Sequence, residues 1–307
     1  MPVTEASQVG DARRVLARLT ADIGLPENER NKASLVITEL GNNLVKYAVD
    51  GQLVIRALTD ERDTGVEILS LDSGPGFADI SKRIADGYSS GGTPGNGLGA
   101  VQRLSTTFDI FSAPGVGTAI LSRVVQDVGA GKDRALLEFG CVCVPIKGEE
   151  KCGDSWAVAQ DGSKATLMLV DGLGHGLIAA TAADAAVETF QTVFNESPTE
   201  IVTRTHQALR STRGAVMAVA EARFADNVIS YSGVGNVACC QVVDGDPQHM
   251  VSVNGTLGLA AKPRAFNYTW KKDAVIVFNS DGLQNRWKLE RYPGLFRRHP
   301  SIIAGVL

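Results

Sequence analysis

A polar, glycine-containing stretch without periodicity, residues 126–133, divides the chain into two halves with different patterns. Before it, apolar spacing indicates helix, helix, strand, strand, helix, helix, strand, strand. After it, strand patterns surround a long alanine-rich helix. A chain of 307 residues is long enough for two domains that each bury a core. We therefore predict an α+β fold in two domains, residues 1–127 and 134–307.

The elements within each half follow from the spacing of apolar residues. In the first half we predict helices at 15–23 and, with an opening turn at 26–29, from there to about 47, and strands at 52–58, 66–71, 108–112 and 117–125. In the second half we predict helices at 176–194 and 198–209 and strands at 136–144, 155–159, 165–170, 215–222, 228–231, 237–243 and 274–278. The first pattern favours helices on one face of a sheet, and the second favours two stacked sheets flanked by helices.

The composition is that of a globular protein, and it excludes some partners. Hydrophobic residues make up 44% of the chain, and the formal net charge is -4. A negative charge gives no electrostatic reason to bind nucleic acid or an anionic membrane. An apolar run of about 18 residues is missing, as is a secretion signal, so we expect no membrane span. Five cysteines without a Cys-x-x-Cys pair favour reduced thiols in a cytoplasmic protein, and we expect Cys141 and Cys143 to be buried.

The helix predicted at 31–47 carries polar side chains beside an apolar stripe. Glu39 and Asn43 lie one turn apart, and Lys46 falls on the same polar stripe. A carboxylate there can orient or deprotonate a hydroxyl or a water, and an amide oxygen can ligate Mg²⁺. For this helix alone, an ordinary solvated stripe is the alternative. The apolar stripe comprises Ala33, Val36, Ile37, Leu40, Leu44 and Tyr47.

Two glycine-rich segments follow this helix in an order that suits a nucleotide. Asp72 ends an apolar strand, where its carboxylate can accept a hydrogen bond from an exocyclic amine. Gly74 and Gly76 allow the backbone to approach a flat base and sugar, although a plain turn is the alternative. From its glycine content we predict that segment 91–100 is a flexible stretch leading into a helix whose N-terminus can bind phosphates. Its candidate residues are Gly95, Gly97 and Gly99.

Three acidic residues of the second half each lie at the end of an apolar strand. Asp154 begins one strand, Asp171 ends another, and Asp281 follows the strand predicted at 274–278. Each alone would be a turn residue. Together, at one end of a β-sandwich, such carboxylates can bridge two divalent cations that activate water. Gly172, directly after Asp171, allows a backbone carbonyl to join the coordination. His175 is either a proton donor or metal ligand, or a structural residue at a helix start.

The polar helix and the two glycine-rich segments occur in an order that resembles the GHKL ATPase superfamily. The fold of that superfamily is the Bergerat α/β sandwich. Glu39 and Asn43 match its N box, and segments 72–76 and 97–99 match its glycine boxes. Segments 87–90 and 117–118 are most similar to the RsbT side of the RsbW/RsbT group of anti-sigma and switch serine kinases. The resemblance implies ATP with Mg²⁺, Glu39 as general base on a protein serine or threonine, and Asn43 as metal ligand. Its further implied nucleotide contacts are Lys46, Asp72, Gly74, Gly76, Gly95, Gly97, Gly99 and Thr118.

The second half resembles the PPM-type serine/threonine phosphatases of the SpoIIE and RsbX kind, which fold as an αββα sandwich. Asp154, the pair Asp171-Gly172, and Asp281 match the metal-binding positions of that family. The resemblance implies two Mn²⁺ or Mg²⁺ ions and a phosphoserine or phosphothreonine protein as substrate. Family members usually end with an Asp-Asp-x-Thr strand, which is missing before Leu307. We therefore expect one weakened metal position and an exposed sheet edge.

The two resemblances together predict a bifunctional regulator of a bacterial sigma-factor or stress partner-switching system. Its kinase-like domain and its phosphatase domain would act on one STAS-domain anti-anti-sigma or stressosome scaffold protein. A sigma factor or a downstream phosphatase activator would be a further partner. Opposed activities on one chain predict a signal that selects one of them. The alternative is an ATP-binding protein that sequesters its partner and carries an inactive phosphatase domain.

Overall fold

The chain folds into two compact units of mixed helix and sheet, which confirms the predicted α+β class. The computed structural model describes residues 1–59, 64–84, 97–126, 137–283 and 291–307. The first unit comprises Met1–Asp133, Phe139–Val142 and Lys288–Leu307, and the second comprises Arg134–Glu138 and Cys143–Trp287. The predicted linker at 126–133 lies, except for its first residue, outside the described residues.

The first unit has the predicted order of helices and strands. Its elements are α1 (Ala6–Asp22), α2 (Glu27–Tyr47), β1 (Gln52–Thr59), β2 (Thr64–Asp72), α3 (Ile80–Ile84), α4 (Gly97–Leu104), β3 (Thr107–Ala113) and β4 (Gly117–Val125). The chain returns to this unit in its last described helix, Pro300–Val306. Helix α2 carries Glu27 and Glu29 in its first turn and Lys46 in its last, which complements the helix dipole.

Helix α2 packs on one face of a four-stranded antiparallel sheet with the strand order β1-β2-β4-β3. Val36, Ile37 and Leu40 are fully buried in the same core cluster as Ile68 of β2. Tyr47, which the sequence places on this stripe, is instead 52% exposed. Its position at the last turn of α2 carries it past the edge of the buried stripe.

The second unit contains two sheets and two long helices. Its elements are β5 (Asp154–Asp161), β6 (Lys164–Gly172), α5 (Gly176–Val193), α6 (Pro198–Ala208), the 3₁₀ helix Leu209–Ser211, β7 (Ala215–Arg223), β8 (Val228–Val234), β9 (Ala238–Val243), β10 (Asp246–His249), β11 (Phe266–Thr269) and β12 (Val275–Asn279). The larger sheet has the order β11-β8-β7-β6-β5, and the smaller has β10-β9-β12.

Successive side chains of β7 point to opposite faces of the larger sheet, so β7 contributes to two different cores. Met217 and Val219 pack in one cluster with Phe190 of α5 and Ile201 of α6. Val216, Ala218 and Ala220 face the opposite way and share a cluster with residues of the smaller sheet, among them Cys239 and Phe278. The described part of this unit is therefore a helical layer on two stacked sheets, as the strand pattern predicts.

Helix α7 (Pro300–Val306) covers the other face of the sheet in the first unit. Residues alternate along β2, so Glu67 and Leu69 point away from α2. A Cβ atom placed on Gly305 would lie 2.7 Å from Cδ2 of Leu69, so helix and sheet touch closely here. The sequence assigns 134–307 as a whole to the second domain, whereas this C-terminal segment packs with the first unit.

A buried ion cluster holds α7 on the sheet. Glu67 is 3% exposed, and its Oε1 and Oε2 lie 2.9 Å from Nη2 of Arg56 and 2.8 Å from Nε of Arg123. The hydroxyl of Ser301 donates to Oε2 of Glu67 at 2.7 Å. Burial alone would raise the pKa of Glu67, but the two guanidinium groups and this hydroxyl hold it below its ordinary value. The cluster thus stabilises a charged carboxylate inside the unit.

Some predicted elements differ from the structure. The described part of the predicted strand 136–144 is irregular, and Cys143 is exposed rather than buried. Gln160 instead binds this segment through its amide, which exchanges hydrogen bonds of 3.0 Å with both backbone groups of Leu137. Strands β10 and β11 are additional. All five cysteines are free thiols, as predicted. Among the described residues, no helix is both long and apolar enough to cross a membrane.

Candidate nucleotide and metal sites

The polar stripe of α2 faces the start of α4. A Cβ atom placed on Gly97 would lie 3.7 Å from Oε2 of Glu39 and 4.0 Å from Nδ2 of Asn43. Both side chains are half-buried, whereas Lys46 is exposed. The structure therefore brings the carboxylate, the amide and the first residue of α4 together. Gly99 is buried within α4, and Gly95 lies outside the described residues.

The segment after β2 lies at the C-terminal end of α2. The amide of Ser73 donates to the carbonyl of Val49 at 2.9 Å. A Cβ atom on Gly74 would lie 3.4 Å from the carbonyl oxygen of Tyr47. The described parts of the two glycine-rich segments thus lie at different points along α2: Gly74 is near its C-terminal end, and Gly97 is beside Glu39 and Asn43.

Asp72 is held in place by backbone groups. Its Oδ1 accepts a hydrogen bond of 2.7 Å from the amide of Gly74, and it lies opposite Thr118 in the register of β2 and β4. Burial raises the pKa of the Asp72 carboxyl, and the amides of Gly74 and Thr118 oppose this rise. Thr118 Oγ1 lies 3.0 Å from Oγ of Ser112, which also accepts from the amide of Phe77 at 2.9 Å.

Gly76 is required by the backbone itself. Its φ of 61° is in the left-handed region, and a Cβ atom there would lie 2.0 Å from the carbonyl oxygen of Ala113. Only glycine allows the segment after Asp72 to come this close to β3. The interpretation of this position as a backbone approach is thus consistent with the geometry, although its contact with a base stays a prediction.

The acids of the second unit converge at one end of the larger sheet. Asp154 and Asp171 are directly opposite each other in the antiparallel pair β5 and β6. The hydroxyl of Ser280 donates to Oδ2 of Asp154 at 2.6 Å, which places the start of the Ser280-Asp281 turn beside them. Ser280 belongs to the Ser-Asp-Gly motif, but the sequence gives no sign of its partner because the two residues are 126 positions apart.

Asp171 is buried and has acidic neighbours that affect its protonation. The pKa of Asp171 is raised to about 7 by burial first, and then by the charges of Asp154 and Asp281. Among the residues that the structure describes, no three metal-type side chains are already gathered at ligand spacing. Hard divalent cations prefer carboxylate oxygens and would offset this repulsion, so the donor set fits Mn²⁺ or Mg²⁺.

The glycines after Asp171 allow close packing of α5. A Cβ atom on Gly172 would lie 2.1 Å from the carbonyl oxygen of Ala179. The amide of Gly172 donates to the carbonyl of Gly153 at 3.1 Å, which ties the ends of β5 and β6 together. This glycine therefore has a packing role, and coordination through its carbonyl stays a prediction.

His175 precedes α5 and contacts a carboxylate, that of Glu149, which the sequence pattern does not indicate. Its Nδ1 lies 2.6 Å from Oε1 of Glu149, and its side chain is 74% exposed. Glu149 is in a loop 26 residues earlier in the chain, which is why sequence spacing does not link the two. The structure thus gives His175 a structural partner close to the acidic end of the sandwich.

Comparison with known proteins assigns the first unit. Residues 2–124 match the family model of the histidine kinase-like ATPase domain. The serine/threonine-protein kinase RsbT of Bacillus subtilis (strain 168) is 35% identical over 109 residues, which cover 36% of this chain and 82% of RsbT. The first part of this chain belongs to the RsbT family. This RsbT-like unit confirms the resemblance predicted from Glu39, Asn43 and the two glycine-rich segments.

The second part matches phosphatase relatives. Residues 161–297 match the model of stage II sporulation protein E, SpoIIE. The phosphoserine phosphatase RsbX of Bacillus subtilis (strain 168) is 27% identical over 139 residues, which cover 45% of this chain and 70% of RsbX. The chain therefore fuses an RsbT-like kinase domain to a SpoIIE- and RsbX-like phosphatase domain. The two matches imply use of a nucleotide and of a divalent metal.

A solved structure supports the fold alone. It comes from work described as "The bacterial stressosome: a modular system that has been adapted to control secondary messenger signaling". The alignment has a TM-score of 0.51 and a sequence identity of 24%. It covers 54% of this chain and 88% of the chain of the solved structure.

Proposed function

We propose that this chain adds a phosphate to a serine or threonine of a partner protein and removes it again. The observation that carries the proposal is that relatives of a protein kinase and of a phosphoserine phosphatase are joined in one polypeptide. We further propose that domain 1–127 uses ATP with Mg²⁺ and that domain 134–307 uses two Mn²⁺ or Mg²⁺ ions. The partner that fits best is a cytoplasmic STAS-domain or stressosome scaffold protein, within a sigma-factor partner-switching system.

In the RsbT-like unit, Glu39 takes the proton of the attacking serine or threonine hydroxyl. Asn43 offers its amide oxygen to Mg²⁺, and Asp72 accepts a hydrogen bond from the exocyclic amine of the base. The closeness of Gly97 to Glu39 and Asn43 supports these roles, because a phosphate at the start of α4 would lie beside both side chains. The further nucleotide contacts would come from Lys46, Gly74, Gly76, Gly95, Gly99 and Thr118.

In the second unit, Asp154, Asp171 and Asp281 hold the divalent cations. When bound, the cations supply a more acidic water and stabilise the charge that develops on the phosphoryl group. The carboxylates would hold the cations, and Ser280 orients Asp154 through its hydroxyl. The raised pKa of Asp171 supports this role, because perturbed carboxylates gather at functional sites.

Hydrolysis of a phosphoserine peptide tests the phosphatase half. With Mn²⁺ present, the intact chain should release phosphate, and Asp171→Asn should lower kcat/KM by about a hundredfold or more because a metal ligand loses its charge. Asp161→Asn, at the exposed far end of β5, is the matched control and should keep full activity. Absence of Mn²⁺-dependent hydrolysis in the intact chain would instead favour an ATP-dependent sequestering protein.

Phosphate incorporation from ATP into a STAS-domain protein tests the kinase half. Glu39→Gln should lower the rate by about a hundredfold or more, because the general base is lost. ATP binding should persist, since the amide keeps the size and part of the hydrogen bonding of the carboxylate. Glu27→Gln, in the exposed first turn of the same helix, is the control. Equal incorporation by Glu39→Gln and the intact chain would remove Glu39 from this role.

A further inference from the structure

An arginine lies beside the loop that follows Asp171 and β6, and strand pairing determines its position. In the pairing of β6 and β7, Gly172 is opposite Ala215. The next step continues the register, because the amide of Leu173 donates to the carbonyl of Gly214 at 3.0 Å. Arg213, the residue before Gly214, therefore lies next to the loop after β6. A Cβ atom placed on Gly174 of this loop would lie 3.4 Å from Nη1 of Arg213.

The turn that presents Arg213 is held by the side chain of Thr212 and by close packing at Gly214. The hydroxyl of Thr212 donates to the carbonyl of Leu209 at 2.8 Å and accepts from the amide of Gly214 at 3.0 Å. Gly214 has a φ of 90°, and a Cβ atom there would lie 2.5 Å from the carbonyl oxygen of Leu257. The backbone is therefore fixed on both sides of Arg213, while the side chain itself is exposed.

The charge of Arg213 is not compensated by the surrounding described residues. Two other arginines of this unit have carboxylate partners: Arg204 pairs with Glu196, and Arg223 pairs with Glu221. Within the described ranges, Arg213 forms neither an ion pair nor a hydrogen bond through its side chain. A guanidinium group matches the oxygens of a phosphate with two parallel N–H donors.

We propose that Arg213 binds the phosphoryl group of the substrate at the hydrolytic site. This inference rests on the proposed phosphatase function, which supplies a phosphoserine or phosphothreonine side chain as the ligand. Arg213 contacts the phosphoryl oxygens from the side of Gly174, whereas the carboxylates act from the ends of β5 and β6 through their cations. The fixed turn lowers the conformational cost of binding, because the backbone is already ordered.

Kinetics and phosphate binding on the full chain test the proposal together. Arg213→Ala should raise KM for a phosphoserine peptide about tenfold to a hundredfold, because a charge-assisted bidentate contact is lost. Arg213→Lys should recover part of this loss, since it keeps the charge but not the fork. Inhibition by inorganic phosphate should weaken by a similar factor. Arg210→Ala, an exposed arginine of the preceding 3₁₀ turn, is the matched control.

Calorimetry separates this proposal from the proposed function. Mn²⁺ should bind Arg213→Ala and the intact chain equally, while inorganic phosphate should bind only the intact chain tightly. If the intact chain shows no hydrolysis, the proposed function fails, yet loss of phosphate binding in Arg213→Ala would still support the site. Unchanged KM and unchanged phosphate binding in Arg213→Ala would overturn it, as would absence of phosphate binding to the Mn²⁺-loaded intact chain.

Discussion

We expect the carboxyl of Asp171 to link cation binding to pH. Burial, followed by the charges of Asp154 and Asp281, raises its pKa to about 7 from an ordinary value of 3.8. A raised carboxyl pKa means that the folded state holds a proton which the unfolded state releases. The contribution of this proton to the free energy of unfolding is therefore complete below about pH 4, and it is lost as the pH rises to about 7. A cation at this position must displace the same proton.

We predict that Mn²⁺ affinity falls as pH decreases below about 7. At about pH 6, binding should release a proton from Asp171 in most molecules, whereas at about pH 8 this proton is already gone. Calorimetric titration in two buffers with different ionisation enthalpies measures the released protons at each pH. Asp161→Asn should behave like the intact chain, and equal proton release at both pH values would contradict the assignment.

Single residues differ in how far the sequence predicts them. Asp154 and Asp171 are recognisable because each lies at the end of an apolar strand, and antiparallel pairing then brings them together. Ser280, Glu149 and Arg213 complete the surroundings of these acids, but their contacts join distant parts of the chain. Local spacing carries no information about such long-range contacts, because they form only when the chain folds.

At the scale of elements, segment Phe139–Val142 packs closely against α7 at Gly140. A Cβ atom placed on Gly140 would lie 2.0 Å from the amide nitrogen of Ser301. Gly140→Ala therefore forces α7 to move and weakens the hydrogen bond from Ser301 to Glu67. Gly162 is a suitable control position for this substitution, because a Cβ atom added there meets no heavy atom within 4 Å.

We predict that Gly140→Ala lowers the free energy of unfolding by about 1–3 kcal/mol, because overpacking displaces a buried contact. Urea denaturation followed by circular dichroism measures the change. Gly162→Ala should lie within about 0.5 kcal/mol of the intact chain, as expected for an open surface position. A loss for Gly140→Ala no larger than that of Gly162→Ala would show that α7 is not held at this point.

The sequence predicts the longer elements well and the outer layer poorly. Helix α2 and strand β4 have strong periodicity over their whole length, and their observed bounds match the expected ones. Glu67 resembles a solvent-facing residue of a half-buried strand, yet α7 covers it. The cover comes from a helix of seven residues far along the chain, which no local pattern assigns to this sheet.

At the scale of the whole molecule, the order of the two families follows the order of the motifs. Nucleotide-type elements occupy the first part, and strand-end acids occupy the second. The two compact units do not divide the chain at a single point. The first unit also includes two later segments, Phe139–Val142 and Lys288–Leu307. Family boundaries and packing boundaries therefore differ in this protein.

This discontinuous packing has a consequence for synthesis on the ribosome. The partners of Glu67 on its own sheet emerge early, but Ser301 leaves the exit tunnel only after the entire phosphatase-like sequence. Domains usually mature in the order in which they are translated. Here the earlier domain receives its final layer last, so a nascent chain completes its RsbT-like fold only when the opposing activity has already been made.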